Sequence, residues 1–170
     1  MNFSEKDHAF MKIAIEEAKI ASDEGNFPVG ACLVVDGTLI AKERNQLHLN
    51  QDWVSHAEMR LISKYSSLIK ESFKKGSTIT IYTSLDPCFM CLGASTLNRI
   101  SRIVYACPDP FTGVAEVYLD TLLPVGYKNM LPKISGGLMK EDSYNLITEH
   151  MQKQGKEKWN EALELYKNIK

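Results

Sequence analysis

His56, Glu58, Cys88 and Cys91 are the residues of this 170-residue chain whose types and spacing can do chemistry. In DPCFMC the two cysteines stand three apart at a helix start, where residues i and i+3 share a face, so both sulfurs can reach one ion. A helix N-terminus also lowers thiol pKa and favours the thiolate that binds metal. Alone, a C-x-x-C motif reads equally as a redox pair, half of a structural zinc site or two buried small residues. His56 adds a third ligand. Two thiolates and a neutral imidazole balance Zn²⁺ and fill three tetrahedral positions, leaving the fourth for a water that ionises near neutrality. Glu58, two residues beyond His56, suits a proton carrier close to the metal but not bound to it. It also has a structural reading, because Ser55 and Glu58 in WVSHAEMR have the spacing of a helix capping box. The two readings are compatible if Ser55 caps the helix alone. Cys32 or Cys107 could close the site as a fourth ligand, but both read more simply as core cysteines. His8, His48 and His150 lack metal-ligand spacing and read as surface or packing residues.

The elements that must position these groups follow from periodicity. Ser4 with Asp7 opens a helix whose Phe10, Ile13, Ala14, Ala18 and Ala21 keep helical spacing, and Gly25 is placed to end it. VGACLVVDGTLIAKERN reads as two strands joined by Asp36-Gly37, the pair a type I′ hairpin demands because both central residues need positive φ. After a polar loop, WVSHAEMR starts a helix carrying Met59, Leu61 and Ile62 that fades near Lys70. KKGSTITIYTS is a turn and a β-branched strand; Asp86 as N-cap and Pro87 as first helical residue predict a helix from Cys88 to about Asn98. Arg102 to Ala106 is the next strand. Past Gly113 the pattern predicts a short helix from Val114 to Leu123 and a loop from Pro124 to Lys133. Two helices then flank Gly155, the second with Trp159, Ala162, Tyr166 and Ile169 on one side. Strands alternating with helices specify an α/β layered sheet. Without a repeat or a linker, residues 1–170 are expected to form one domain, with 114–170 as its helical C-terminal part.

Composition narrows the partners. The chain is 44% hydrophobic, enough for a sizeable core, and its 20 Lys and Arg against 21 acids leave a net charge of −1. No overall field would hold it on a polyanion, although a local basic patch is compatible with that balance. The start MNFSEKDHAF lacks a signal-like pattern and no apolar run reaches membrane-spanning length, so a cytoplasmic protein with reduced cysteines is the expectation.

His56, Glu58, Pro87, Cys88 and Cys91 together make the H-x-E…P-C-x-x-C pattern of zinc-dependent deaminases. The chain resembles the cytidine deaminase-like superfamily, most of all the branch with guanine deaminases and tRNA adenosine deaminases. The resemblance runs from about Phe27 to Gly113, through FPVGACLVVDGTLIAKERNQ, SHAEMR, YTSLDPCFMCLGA and NRISRIVYACPDPFTG. It implies a three-layer α/β/α sandwich around a five-stranded mixed sheet, zinc held by His56, Cys88 and Cys91, and Glu58 as proton shuttle. It further implies that Asn45, the Ala57 backbone N–H and Pro87 bind the substrate base, that Phe27 and Val29 help wall the pocket, and that the protein is a homodimer. By spacing alone Asn45 reads equally as a turn-stabilising residue after a strand. Two features depart from the pattern: Asp86 stands where Glu is usual, and Asp52-Trp53-Val54-Ser55 replaces a common D-P-T. Trp53 there either stacks on a base or plugs the core.

Three functions follow as expectations. The first is hydrolytic deamination of a nucleobase or nucleoside, favoured by the near-neutral charge and by a C-terminal tail in which glutamates alternate with lysines. The second is tRNA adenosine deamination, which needs phosphate contacts that Arg99, Arg102, Lys153, Lys156 and Lys158 could supply if gathered on one rim. The third is a non-catalytic zinc module, for which an intact Glu58 would have no use.

Overall fold

Period-two alternation along the strands sets the layers. The computed structural model describes residues 2–114, 117 and 123–169. Strands β1 (Gly30–Val35), β2 (Thr38–Arg44), β3 (Ile79–Leu85), β4 (Arg102–Cys107) and β5 (Lys133–Gly136) form one sheet in the order β2-β1-β3-β4-β5. β1 is antiparallel to β2 and β3, while β3, β4 and β5 are parallel, so the sheet is mixed. Ala31, Leu33, Ile79, Ile81, Ile103 and Cys107 point into one apolar cluster; Cys32, Val34, Tyr82, Val104 and Ala106 point into another. A sheet apolar on both faces needs a helical cover on each.

Helix α1 (Glu5–Asp23) covers the Cys32 face through Met11 and Ala14, and α3 (Ala57–Lys74) covers the opposite face with Leu61, Ile62 and Ile69. Helix α4 (Phe89–Leu97) lies beside α3. This is the expected α/β/α sandwich. α1 lies so close to β1 that a Cβ on Gly30 would stand 2.2 Å from the Ala14 carbonyl oxygen. The β1–β2 turn has φ of 48° at Asp36 and 75° at Gly37, as the type I′ reading requires.

The C-terminal part differs in detail from expectation. The segment read as a loop holds a short helix α5 (Val125–Lys128), and β5 begins at Lys133. KISG is too short and too poor in β-formers to declare itself; it is a strand because its backbone pairs with the β4 edge. Most of the helix expected at 114–123 lies outside the described residues. Helices α6 (Lys140–Gln154) and α7 (Lys158–Lys167) flank Gly155 as expected, and Trp159, Ala162, Tyr166 and Ile169 pack on the core. Among the described residues, no helix is long and apolar enough to cross a membrane.

Candidate active site

Two helix N-termini meet beyond the C-terminal end of β3. His56 is the N-cap of α3 in extended conformation (φ −70°, ψ 153°), and Cys88 is the N-cap of α4 (φ −75°, ψ 171°). The N-cap of α4 is therefore Cys88 and not Asp86, and the helix starts at Phe89, one residue later than expected. Cys88 forms an antiparallel bridge with Gly113, which keeps it extended and delays the helix. The capping box at Ser55 is likewise absent, and Ser55 does not cap α3 even alone. The helix begins one residue beyond the box register, so Glu58 is its second residue and not its third. Ser55 Oγ donates to Asp52 Oδ2 at 2.8 Å and accepts from Asn50 Nδ2 at 3.2 Å, tying it to the loop around α2 (Leu47–Asn50).

His56 Nδ1 lies 3.8 Å from Cys88 Sγ and 3.6 Å from Cys91 Sγ. Nitrogen and sulfur ligands on a tetrahedral zinc, with bonds of about 2.0–2.1 and 2.3 Å, stand about 3.6 Å apart, so the three residues fit the ion. Among the described residues they are the one group of His, Cys, Asp or Glu close enough to share a metal; Cys32 and Cys107 are buried in the sheet. The fourth position is thus not closed by either cysteine. The Cys88 thiol is held down to about 4, chiefly by its hydrogen bond with Cys91, which with help from His56 outweighs burial. Cys91 is raised by the same bond and by burial, and His56 is raised chiefly by its bond to Cys88. A divalent cation displaces the protons of such a set, coupling metal binding to pH.

Glu58 is buried beside the ligands. Its Oε1 accepts from Thr83 Oγ1 of β3 at 2.8 Å, and its Oε2 lies 3.5 Å from Cys91 Sγ. Burial pushes its carboxyl above the usual range. Glu58 faces a cavity of about 360 Å³ together with His56, Cys88, Asn45, Phe27 and Val29. Cys91, Ala57 and Pro87 are not among the residues that line it. Asn45 performs the turn role that spacing allowed: Nδ2 donates to the Phe27 carbonyl at 3.2 Å and Oδ1 accepts from the Leu47 N–H at 3.0 Å. Its amide still borders the cavity. Trp53 is 82% exposed at the rim, so it does not plug the core.

The rest of the wall was missed by sequence reasoning. Asp86 and Asp109 line it, as do His150, Lys156, Trp159 and Tyr166 from the C-terminal part. Trp159 stacks on Phe27 with centroids 5.4 Å apart, and Tyr166 Oη donates to Asp109 Oδ1 at 3.1 Å. Helical spacing marked Trp159 and Tyr166 as a buried face; nothing in it tells a face that packs from one that also borders a cavity. The cations considered for phosphate contacts do not gather. Arg102 pairs with Asp7 at the far end of β4, Arg99 lies over the Phe73 ring, and Lys153 approaches Glu149. Only Lys156 reaches the cavity, and the Lys158 side chain lies outside the described residues.

Comparison with known proteins agrees with this geometry. The cytidine and deoxycytidylate deaminase zinc-binding region matches residues 4–107. A tRNA-specific adenosine deaminase of Bacillus subtilis strain 168 is 34% identical over 136 residues, 80% of this chain and 83% of the relative. A solved tRNA:A34 deaminase superposes with a TM-score of 0.69 at 30% identity, covering 81% of this chain and 98% of the other. The guanine deaminase of Nitrosomonas europaea shares the fold at 19% identity, with a TM-score of 0.65 over 84% of this chain and 83% of its own. With a histidine and two cysteines set for zinc, a buried glutamate beside them and a match across both motifs, the chain belongs to the cytidine and deoxycytidylate deaminase family of zinc-binding proteins.

Proposed function

We propose that this zinc-dependent deaminase acts on an aminated free nucleobase or nucleoside, hydrolysing its exocyclic C–N bond with release of ammonia. One observation carries the choice of an unphosphorylated substrate: among the described residues the cavity is lined by Glu58, Asp86 and Asp109 but by one lysine, Lys156. Carboxylates repel phosphate, and the electrostatic attraction that binds polynucleotides needs clustered cations.

Zinc bound by His56, Cys88 and Cys91 would supply a water acidified to near neutrality. Glu58 takes one proton from the attacking water and gives it to a ring nitrogen, then takes the proton of the hydroxyl so added to carbon and gives it to the amine, which leaves as ammonia as the C–N bond breaks and the carbonyl forms. Burial readies it for this by making its protonated form accessible, and Thr83 holds Oε1 so that Oε2 faces the ligands. Phe27 and Val29 offer apolar surface to a ring. Asn45 presents its amide edge, and the Ala57 N–H is among those that α3 cannot bond itself. Two copies of the chain are part of this reading, supported by the exposed apolar side chains of Leu49, Trp53, Val54, Phe89 and Phe111. The four free thiols support a cytoplasmic setting.

A second reading is favoured by the relatives of known name: adenosine in a tRNA anticodon as the substrate. Ammonia release separates the two. Zinc-loaded protein, with Glu58→Ala as blank, would be assayed on guanine, adenine, cytosine, their nucleosides and nucleotides, and an anticodon stem-loop. A Glu58-dependent signal on a base or nucleoside is expected; a signal only on the stem-loop would establish the tRNA reading, and silence throughout would return the chain to a non-catalytic zinc module.

A further inference from the structure

His150 belongs to a helix outside the segment that carries the zinc motifs, yet its ring lines the same cavity. The residue is 7% exposed, and its ring meets Phe27 edge-on at 5.9 Å, while Trp159 stacks on the same Phe27 ring. Its Nδ1 lies 2.9 Å from Ser22 Oγ in the last turn of α1. Ser22 Oγ donating to Nδ1 places the ring proton of the neutral histidine on Nε2, whereas the other tautomer reverses that bond; the first arrangement is the one adopted for His150. Burial, with the neighbouring positive groups of His48, Lys156 and Lys153, keeps the ring neutral. His150 stands apart from the metal ligands and does not join their cluster. His150 thus borders the cavity without being one of the ligands.

Resting on the base-or-nucleoside reading, we propose that His150 is a specificity-determining residue: its Nε2–H donates a hydrogen bond to a neutral acceptor on the non-reacting part of the substrate, either a carbonyl or ring nitrogen of the base or an oxygen of its sugar. Ser22 is a positioning residue that fixes the tautomer. A buried donor of this kind discriminates strongly, because a substrate without the acceptor leaves it unpaired. Substrate choice is then written partly in α6, beyond the matched residues 4–107, so two chains with identical zinc motifs can differ in what they deaminate.

The test is calorimetric and separates this inference from the reading beneath it. Zinc-loaded Glu58→Ala protein, blocked in turnover, is titrated with guanine, adenine, cytosine and their ribonucleosides. The same titrations follow after adding His150→Phe, His150→Gln or Ser22→Ala, with zinc content and melting temperature confirming an intact fold. His150→Phe should weaken the compound that binds by about tenfold or more, the equivalent of one hydrogen bond of about 1.4 kcal/mol. His150→Gln, which places an amide N–H near the same point, should restore part of that affinity, and Ser22→Ala should lose less than His150→Phe. An acceptor on the base makes the loss equal for base and nucleoside, whereas an acceptor on the sugar confines it to the nucleoside. Unchanged affinity in a folded, zinc-loaded His150→Phe protein overturns the role of His150 and leaves the substrate reading standing. Failure of all six compounds to bind the Glu58→Ala parent overturns both.

Discussion

Glu58 has one oxygen held by Thr83 and the other turned toward Cys91, a division of labour that suits a group which must stay in place while it exchanges a proton. Glu58→Gln keeps the size and the Thr83 contact but cannot carry a proton. It should retain one zinc per chain while kcat falls by about 10²-fold or more, and a variant within threefold of wild type would remove Glu58 from the chemistry. Cys91→Ala should behave oppositely, with zinc lost and the melting temperature lowered because metal binding and folding are coupled; metal analysis beside thermal melting distinguishes the two. At this scale the sequence was informative because a metal site demands fixed donor types at fixed spacing, and His56, Cys88 and Cys91 converge as that spacing implied. His150 read as a surface or packing residue since a lone histidine on a late helix has no local partner. Its role comes from Ser22 and Phe27, 128 and 123 residues away in the chain.

Elements are placed by periodicity, but their ends are placed by contacts. Both N-terminal registers at the site were misjudged for that reason: Asn50 donates to the Ser55 oxygen that the capping box would use as acceptor, and Gly113 holds Cys88 extended. The consequence is functional, since each delayed start turns a ligand into an N-cap residue whose side chain leaves the helix axis toward the metal. β5 shows the same limit in another form, a four-residue strand that exists by pairing. Close approach is also invisible in periodicity. Gly30 lets α1 sit against β1, with the Ala14 carbonyl oxygen 2.2 Å from where a Cβ would be. Gly30→Ala must push backbone from backbone, so it should destabilise the protein by about 1–3 kcal/mol in urea unfolding. The shift of α1 would also disturb Ser22, and an unchanged unfolding midpoint would show that α1 moves away freely.

Across the whole molecule, Asp7 joins elements that the zinc site does not. It caps α1 with Ser4, accepts from Tyr82 Oη of β3 at 2.6 Å and pairs with Arg102 of β4 at 2.7 Å. Its place as a capping residue was legible from four adjacent residues; its bonds to partners 75 and 95 positions away were not. Burial alone would raise its carboxyl, but the hydrogen bonds from Arg102, Tyr82 and Ser4 outweigh it and hold the group well below the usual carboxylate range. A pKa lower in the folded than in the unfolded chain means that ionised Asp7 stabilises the fold above the ordinary aspartate pKa of about 4, and that this contribution is lost as pH falls below it. Asp7→Asn should therefore cost about 1–3 kcal/mol near neutrality, the range for hydrogen bonds to a charged group, below that of a fully buried pair because Arg102 is part-exposed. The difference between wild type and variant should narrow steadily as pH falls from about 4 to about 2, because Asp7 of the unfolded chain takes up a proton there while the folded carboxylate still resists it. Urea unfolding of both proteins at several pH values checks this. Each loses zinc in acid alike, so the difference between them isolates Asp7, and a gap as wide at pH 2.5 as at pH 7 would show that the ion pair with Arg102 is not what holds α1 to the sheet.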